Sequence, residues 1–396
     1  MLDFLSDETR RNPFPLYDQI RSQWPLLRNP QSDAWMVFDY AGAKRVLTDH
    51  EAFSSSVTPA PVISKWLIFS DQPRHSKLRG LISRAFTPAV VAGLEPRIRE
   101  ISRQLMDAVL ERGEMDLAAD FSVPLPMMVI AEMLGVATSD WPRFRGWGDA
   151  VLKLSYAAGA SPEVLQSVAG EYAAAMTDMR AYFTQVLENR RRAPADDLLT
   201  KLADAEVDGD RLSDDELLGF FQLLLVAGTE TTTNLLNNAI LCFIEYPEEL
   251  DTLRKAPGLL VSAIEEVLRF RSPVQWMFRV TRREVELHGQ RIPAGKLVLP
   301  VIGSANRDPQ QFPEPRRFHI AREPNPHIAF GHGIHFCLGA PLSRLEARVA
   351  LTQLLACATN VRLQSAEPWE PRKALHVHGP ARLPVCFDPA ERAATA

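Results

Sequence analysis

Apolar positions along the chain follow a helical period through most of its length, with short extended stretches at both ends. Phe14 to Trp24, opened by Pro13 and Pro15, predicts a short helix. Trp35 to Phe38 predicts a strand and Ala41 to Leu47 a second helix. Phe53 to Ser70 holds neither period and predicts a long loop carrying Trp66 and Phe69. From Val91 to Asp204 the pattern is mostly helical, broken at Gly113, Pro124 to Pro126, Gly135, Pro142, Pro162 and Pro194. Leu217 to Val226 is apolar on nearly every side, which predicts a helix buried all round, and Ser213 with Glu216 predicts the capping box that opens it. Pro257 to Arg271 reads as one amphipathic helix. Val274 to Thr281, Val285 to Leu287 and Leu297 to Val301 read as extended, and Asn306 to Pro326 as aperiodic. Leu342, Leu345, Val349, Leu351, Leu354 and Leu355 mark a last helix, followed by strands at Val361 to Leu363 and Pro384 to Phe387. The expected fold class is mainly α with small β-sheets (α+β), built around a long central helix as one domain over residues 1–396, with a β-rich N-terminal edge.

Composition narrows the function more than the fold. Lys plus Arg at 44 against Asp plus Glu at 49 gives a net charge of −5, which offers no global basic field for nucleic acid. Four cysteines, Cys242, Cys337, Cys357 and Cys386, have neither metal-finger spacing nor disulfide density, so a reducing, cytoplasmic setting is expected. The charged N-terminus does not read as a signal peptide, and the longest apolar run, near Leu223 to Ala227, is too short for a bilayer.

Chemistry concentrates in a few stretches. Phe330 to Gly339 reads FGHGIHFCLG and sets Cys337 just before the last helix, where unpaired N–H groups and the helix dipole favour a thiolate. Gly331, Gly333 and Gly339 leave room for a flat group against the backbone. Ala227-Gly228-Thr229-Glu230-Thr231-Thr232 interrupts the buried helix with residues that do little for helix stability. Either the helix bends there, with a threonine bonding back to a carbonyl, or it opens to make room for something. His75 and Arg79 lie four apart on one helix face, a cation pair that calls for an anion. Glu266 and Arg269 share a face at i and i+3, a spacing that alone says little.

Together these stretches resemble the cytochromes P-450, the cysteinate-ligated haem monooxygenases: the cysteine loop fits FGxGxHxCxG at every fixed position, and Ala227 to Thr232 fits AGx(D/E)TT. The resemblance runs from about Phe14 to Phe387 and implies the P-450 fold, with its long central helix over haem b. It implies Cys337 as iron ligand, within a cofactor site of Ala227, Phe330, Gly331 and Gly339. His75, Arg79, Arg279 and His335 would meet the haem propionates. Thr231 would bond the distal oxygen, Glu230 would relay protons, and Gly228 would leave room for dioxygen. A structural triad of Glu266, Arg269 and Arg317 would hold the loop behind the cysteine.

The implied reaction inserts one oxygen atom of O2 into a C–H or C=C bond of a small hydrophobic substrate. Trp66, Phe69, Val274, Gln275, Trp276 and Val377 are the pocket candidates, and Trp147, Val151, Leu154 and Tyr156 are either pocket or core. No flavin or ferredoxin segment is evident, so electrons are expected from a separate ferredoxin and ferredoxin reductase. These would dock on a monomer at Arg74, Lys77, Arg84, Arg344 and Arg348, residues that read equally well as a solvated face. A peroxide-driven peroxygenase and a haem-based gas sensor are the alternatives. The Glu230-Thr231 pair argues against the first and the oxygen-activating helix against the second.

Overall fold

The structure, a computed structural model, describes residues 4, 6–30, 32–57, 66–156, 161–195, 197–207, 209–374 and 376–390. Part of the expected loop, residues 58–65, lies outside the described residues. The chain divides into two compact units: Met1–Val57 with Ile98–Val123 and Thr231–Ala396, and Thr58–Arg97 with Pro124–Glu230.

The first unit holds the sheets. Leu26–Arg28, Trp35–Val37, Leu297–Pro300, Arg279–Thr281 and Phe53–Ser54 form a five-stranded sheet in that order, with Val298 opposite Trp35 in its parallel pair. Its apolar positions face two core clusters. One gathers Leu26, Trp35, Val37 and Phe53 with Val298, and the other gathers Phe14, Tyr17, Met36, Phe38 and Trp276. Alternation of Trp35, Met36 and Val37 between the two follows from the period of two in a strand. A second sheet pairs Pro384–Pro389 with Ala358–Leu363 and with Glu114–Asp116.

The expected extended run from Val274 is a strand only at Arg279–Thr281. Gln275 N donates to His376 O at 2.7 Å and Met277 N to Pro300 O at 3.3 Å, so alternate amides serve different neighbours and no single ladder forms. The expected helix from Pro257 to Arg271 begins with a 3-10 turn, Pro257–Leu259, and becomes α-helical at Leu260–Phe270.

The second unit is helical. Phe144, Trp147, Tyr182, Phe183 and Phe221 form an aromatic ladder, with Phe183 and Phe221 stacked at 4.6 Å. Trp147 Nε1 donates to Asp178 at 2.9 Å, and Trp147 and Val151 are buried, so these two are core, while Leu154 is partly accessible and the side chain of Tyr156 lies outside what the structure describes.

The long helix Asp214–Glu245 runs without interruption, its residues 214–230 in one unit and 231–245 in the other. Its capping box is formed: Glu216 accepts from Ser213 N and Oγ, both at 2.9 Å, and Glu216 N donates to Ser213 Oγ at 3.3 Å. At the sequence break, Thr229 Oγ1 donates to the Leu225 carbonyl at 2.8 Å. Back-bonding of this kind satisfies the hydroxyl inside the helix, and the helical hydrogen bonds do not open there.

Candidate active site

The cysteine loop is shaped by glycine. Gly331 and Gly333 take φ of +75° and +72°, and a Cβ on Gly333 would lie 3.1 Å from both Leu47 O and Thr48 Cα. The 3-10 turn Gly333–His335 follows, and Cys337 N donates to Phe330 O at 2.9 Å, closing the loop. Cys337 is exposed and lies just before the helix Ala340–Cys357, for which Gly339 is the N-cap. A Cβ on Gly339 would lie 3.9 Å from Cys337 Sγ, an ordinary contact.

The loop is braced from behind. Arg344 donates through Nε and Nη2 to both oxygens of Glu265, each at 2.7 Å, and its guanidinium lies 4.5 Å from the centre of the Phe330 ring. His327 Nε2 meets the same carboxylate at 3.0 Å. Burial alone would raise the pKa of Glu265, but the bonds from Arg344 and His327 outweigh it and hold the group at about 2. Neither Glu265 nor His327 stood out in the sequence, because a charge beside an ExxR pair has no spacing of its own to mark it.

Glu266 and Arg269 are fully buried, and all five donor positions of Arg269 are used. Nε and Nη2 bond Glu266 at 2.7 and 2.8 Å, Nη1 reaches the carbonyls of Asn306 and Pro315, and Nη2 also reaches that of Arg317. The third arginine of the triad is Arg322, whose Nε lies 3.1 and 3.2 Å from the Glu266 oxygens. Arg317, expected in that role, turns its side chain outward to Glu314 at 3.6 Å and contributes only its carbonyl.

On the long helix, Ala227 is exposed and Leu223, Gly228 and Thr231 are partly accessible, while Phe221, Gln222, Leu225 and Glu230 are buried. Spacings of four set Leu223, Ala227 and Thr231 on one face, and Leu224, Val226 and Thr229 are partly accessible as well, so the helix is not packed all round along this stretch. A Cβ on Gly228 would lie 3.1 Å from Ile130 Cδ1, so this glycine also serves packing. His75 is buried on the helix Arg74–Ala85, one turn before Arg79. Arg279 is buried at the head of its strand, with Nη1 donating to Phe278 O at 2.8 Å, and His335 ends the 3-10 turn two residues before Cys337.

Several pocket candidates are structural. Trp276 belongs to a core cluster, and buried Gln275 donates to the Ser272 carbonyl at 2.7 Å. With Val377 they border a cavity of about 20 Å³, room for one water and no organic substrate. Val274 stays partly accessible and bridges Val377 through the backbone. Trp66 is buried, stacked on Phe69 and donating to Gln222 at 3.2 Å. The expected basic face is largely neutralised: Arg74 pairs with Glu216, Lys77 with Asp210 and Arg344 with Glu265, while Arg84 donates to the Glu206 carbonyl.

Among the described residues no three or more His, Cys, Asp or Glu side chains are grouped to hold a metal ion. An exposed thiol in a glycine-lined loop fits a flat haem. No described helix is long and apolar enough to cross a membrane.

Comparison with known proteins agrees with this chemistry. The sequence profile of the family described as Cytochrome P450 matches residues 27–357. The putative cytochrome P450 YjiB of Bacillus subtilis is 42% identical over 91% of this chain and 90% of its own. The vitamin D(3) 25-hydroxylase of Pseudonocardia autotrophica is 36% identical over 98% and 96%. CYP109E1 of Bacillus megaterium, at 38% identity, superposes in its substrate-free form with a TM-score of 0.91 over 96% of this chain and 100% of that one. Its complex with corticosterone superposes at 0.89 with the same coverage. The chain belongs to the cytochrome P450 family, the haem-thiolate monooxygenases.

Proposed function

We propose that this chain is a single-domain cytoplasmic monooxygenase that oxidises a hydrophobic, sterol-like substrate with electrons from a separate ferredoxin and its reductase. Two similarities support the substrate class: a relative named for vitamin D3 hydroxylation and a structural neighbour solved with corticosterone. The family match runs through both compact units, which supports one functional domain.

Bound haem supplies oxygen activation at an iron made electron-rich by its thiolate ligand. Cys337 would hold that iron, and the carbonyl of Phe330, by accepting from Cys337 N, fixes the backbone from which the sulfur extends. His75, Arg79, Arg279 and His335 would neutralise the propionates. Leu223, Ala227 and Thr231, at spacings of four on the long helix, would border the haem. Glu230 takes protons from solvent and passes them to Thr231 Oγ1. Phe69 and Val274, the partly accessible members of the candidate set, contact substrate. The exposed Cys337 in its glycine cradle is the observation that carries this reading.

A carbon monoxide difference spectrum of the reduced protein tests it: a far-red-shifted Soret band, lost in Cys337→Ser, is expected. A band typical of histidine-ligated haem would overturn it. Titrating the ferric protein with vitamin D3, corticosterone and palmitate tests the substrate class, with spin-state shifts expected for the first two. Turnover with ferredoxin and reductase, against turnover with peroxide alone, tests the electron source.

A further inference from the structure

Apart from the cysteine loop, the first unit carries an open cleft of about 620 Å³ into which four arginines project, Arg11, Arg271, Arg307 and Arg316, against two carboxylates, Asp18 and Glu245. Both carboxylates are already committed. Glu245 binds Arg271 Nη2 at 2.8 and 2.6 Å, and Asp18 binds Arg21 at 2.5 Å and Arg316 at 2.8 Å. Arg307 is left without one. Its Nε and Nη2 both donate to the single carbonyl of Phe270, at 2.9 and 2.7 Å, and Nη1 takes no part in those bonds. Its guanidinium is sandwiched between the rings of Phe14 and Phe270, 3.7 Å from each centre, and the residue is 6% exposed. Among the described residues no carboxylate pairs with it.

A guanidinium so deeply buried is costly unless an anion meets it. Burial, helped by the charges of Arg269 and Arg271, lowers the pKa of Arg307 to about 9. Beside it, Arg271 Nε and Nη1 are buried with no partner among the described residues. Two stacked rings around a guanidinium partly replace the lost water. They also hold the fork flat and rigid, which suits an oxyanion. Tyr246 and Trp369 line the same cleft and offer ring faces for an apolar body. The volume suits a metabolite-sized molecule.

We propose that this cleft is a binding site for a small ring-bearing oxyanion, a carboxylate or a phosphate, whose charge is received by Arg307 with Arg11 and Arg316 at the rim. The site uses none of the residues assigned to haem, oxygen or substrate, so its occupant is an effector or a second ligand.

Ligand-observed saturation-transfer NMR on the haem-loaded full chain tests this with four probes: benzoate, phenyl phosphate, neutral benzamide and inorganic phosphate. Benzoate or phenyl phosphate is expected to bind and benzamide not to, and whichever anion binds more tightly identifies the head group. Binding should weaken at least about tenfold in Arg307→Gln, and also in Arg11→Ala combined with Arg316→Ala, whose changes at a half-buried and an exposed position keep the fold if the buried one does not. The Soret band should be unchanged by the probes. No binding by any anion at about 10 mM, equal binding of benzamide, loss of binding when imidazole fills the haem site, or full binding in a folded variant of either kind would each overturn the assignment.

Discussion

Arg322 places its Nε 3.1 and 3.2 Å from the two oxygens of Glu266, and so completes the buried pair that Glu266 makes with Arg269. The same arginine donates to the carbonyls of Pro313, Glu314 and Arg317, tying the aperiodic segment to the helix Leu260–Phe270. Arg317 meets only an exposed glutamate.

Arg322→Ala should therefore cost about 1–3 kcal/mol in urea unfolding, whereas Arg317→Ala should stay within about 0.5 kcal/mol of the parent. Arg269→Ala should cost more, about 3–5 kcal/mol, because it strips a buried carboxylate of its closest partner. Equal losses at positions 317 and 322 would return the role to Arg317.

Glu265 joins Arg344 and His327 behind the cysteine loop, and its depressed pKa fixes the sign of a second prediction. A carboxyl held at about 2 against an ordinary 4.5 contributes stability above pH 4.5 that is lost as pH falls toward 2. Glu265→Gln should destabilise by about 1–3 kcal/mol at pH 7 and by much less at pH 3. A penalty independent of pH would mean that packing, not charge, holds the loop.

Gly333 and Gly339 separate two demands on the loop. Gly333→Ala forces a side chain into a left-handed turn against Leu47 and Thr48, so it should cost about 1–2 kcal/mol or more and lower haem content on purification. Gly339→Ala keeps an ordinary φ of −80° and an ordinary contact with Cys337 Sγ, and should cost under about 1 kcal/mol with haem retained. The Soret-to-protein absorbance ratio reads both variants, and equal loss would show that the two glycines serve the cofactor alike.

What was legible in the sequence was what has a local period or a fixed spacing. The capping box at Ser213, the helices at Phe14–Gln23 and Tyr40–Thr48 and the strand at Trp35–Val37 depend on neighbours in sequence, and they form as expected. Glu114–Asp116 is a strand only because a distant partner, Pro384–Pro389, lies beside it, and Leu26–Arg28 pairs with the nearby Trp35–Val37, but three residues carry too little alternation to announce either. Charge partners were hardest to read. The identity of Arg322 as the third arginine, the bracing by Glu265 and the arginine cleft all arise from contacts across tens to hundreds of residues. Trp276 misled for a related reason: an aromatic beside the predicted pocket has the same pattern whether it turns toward a ligand or into the core.

Glu346, on the cysteine helix, is 2% exposed, and its Oε2 has no partner among the described residues. Burial raises its pKa from 4.5 to about 8. The folded chain thus keeps the proton up to about pH 8, while the unfolded carboxyl gives it up near 4.5. Unfolding between these values releases a proton, so rising pH favours it by up to about 1.4 kcal/mol per unit. His378 works in the opposite sense: burial lowers it from 6.5 to about 3, so its contribution is lost as pH falls through that range. Between about 4.5 and 6.5 the two slopes oppose each other, and above 6.5 only that of Glu346 remains. The wild type should lose stability from pH 6.5 to 8, and Glu346→Gln, neutral and nearly isosteric, should remove most of that loss and be the more stable protein at pH 8. Thermal midpoints of both proteins at pH 5.5, 6.5 and 8 decide it, and parallel declines would show that Glu346 ionises in the fold at its ordinary pH.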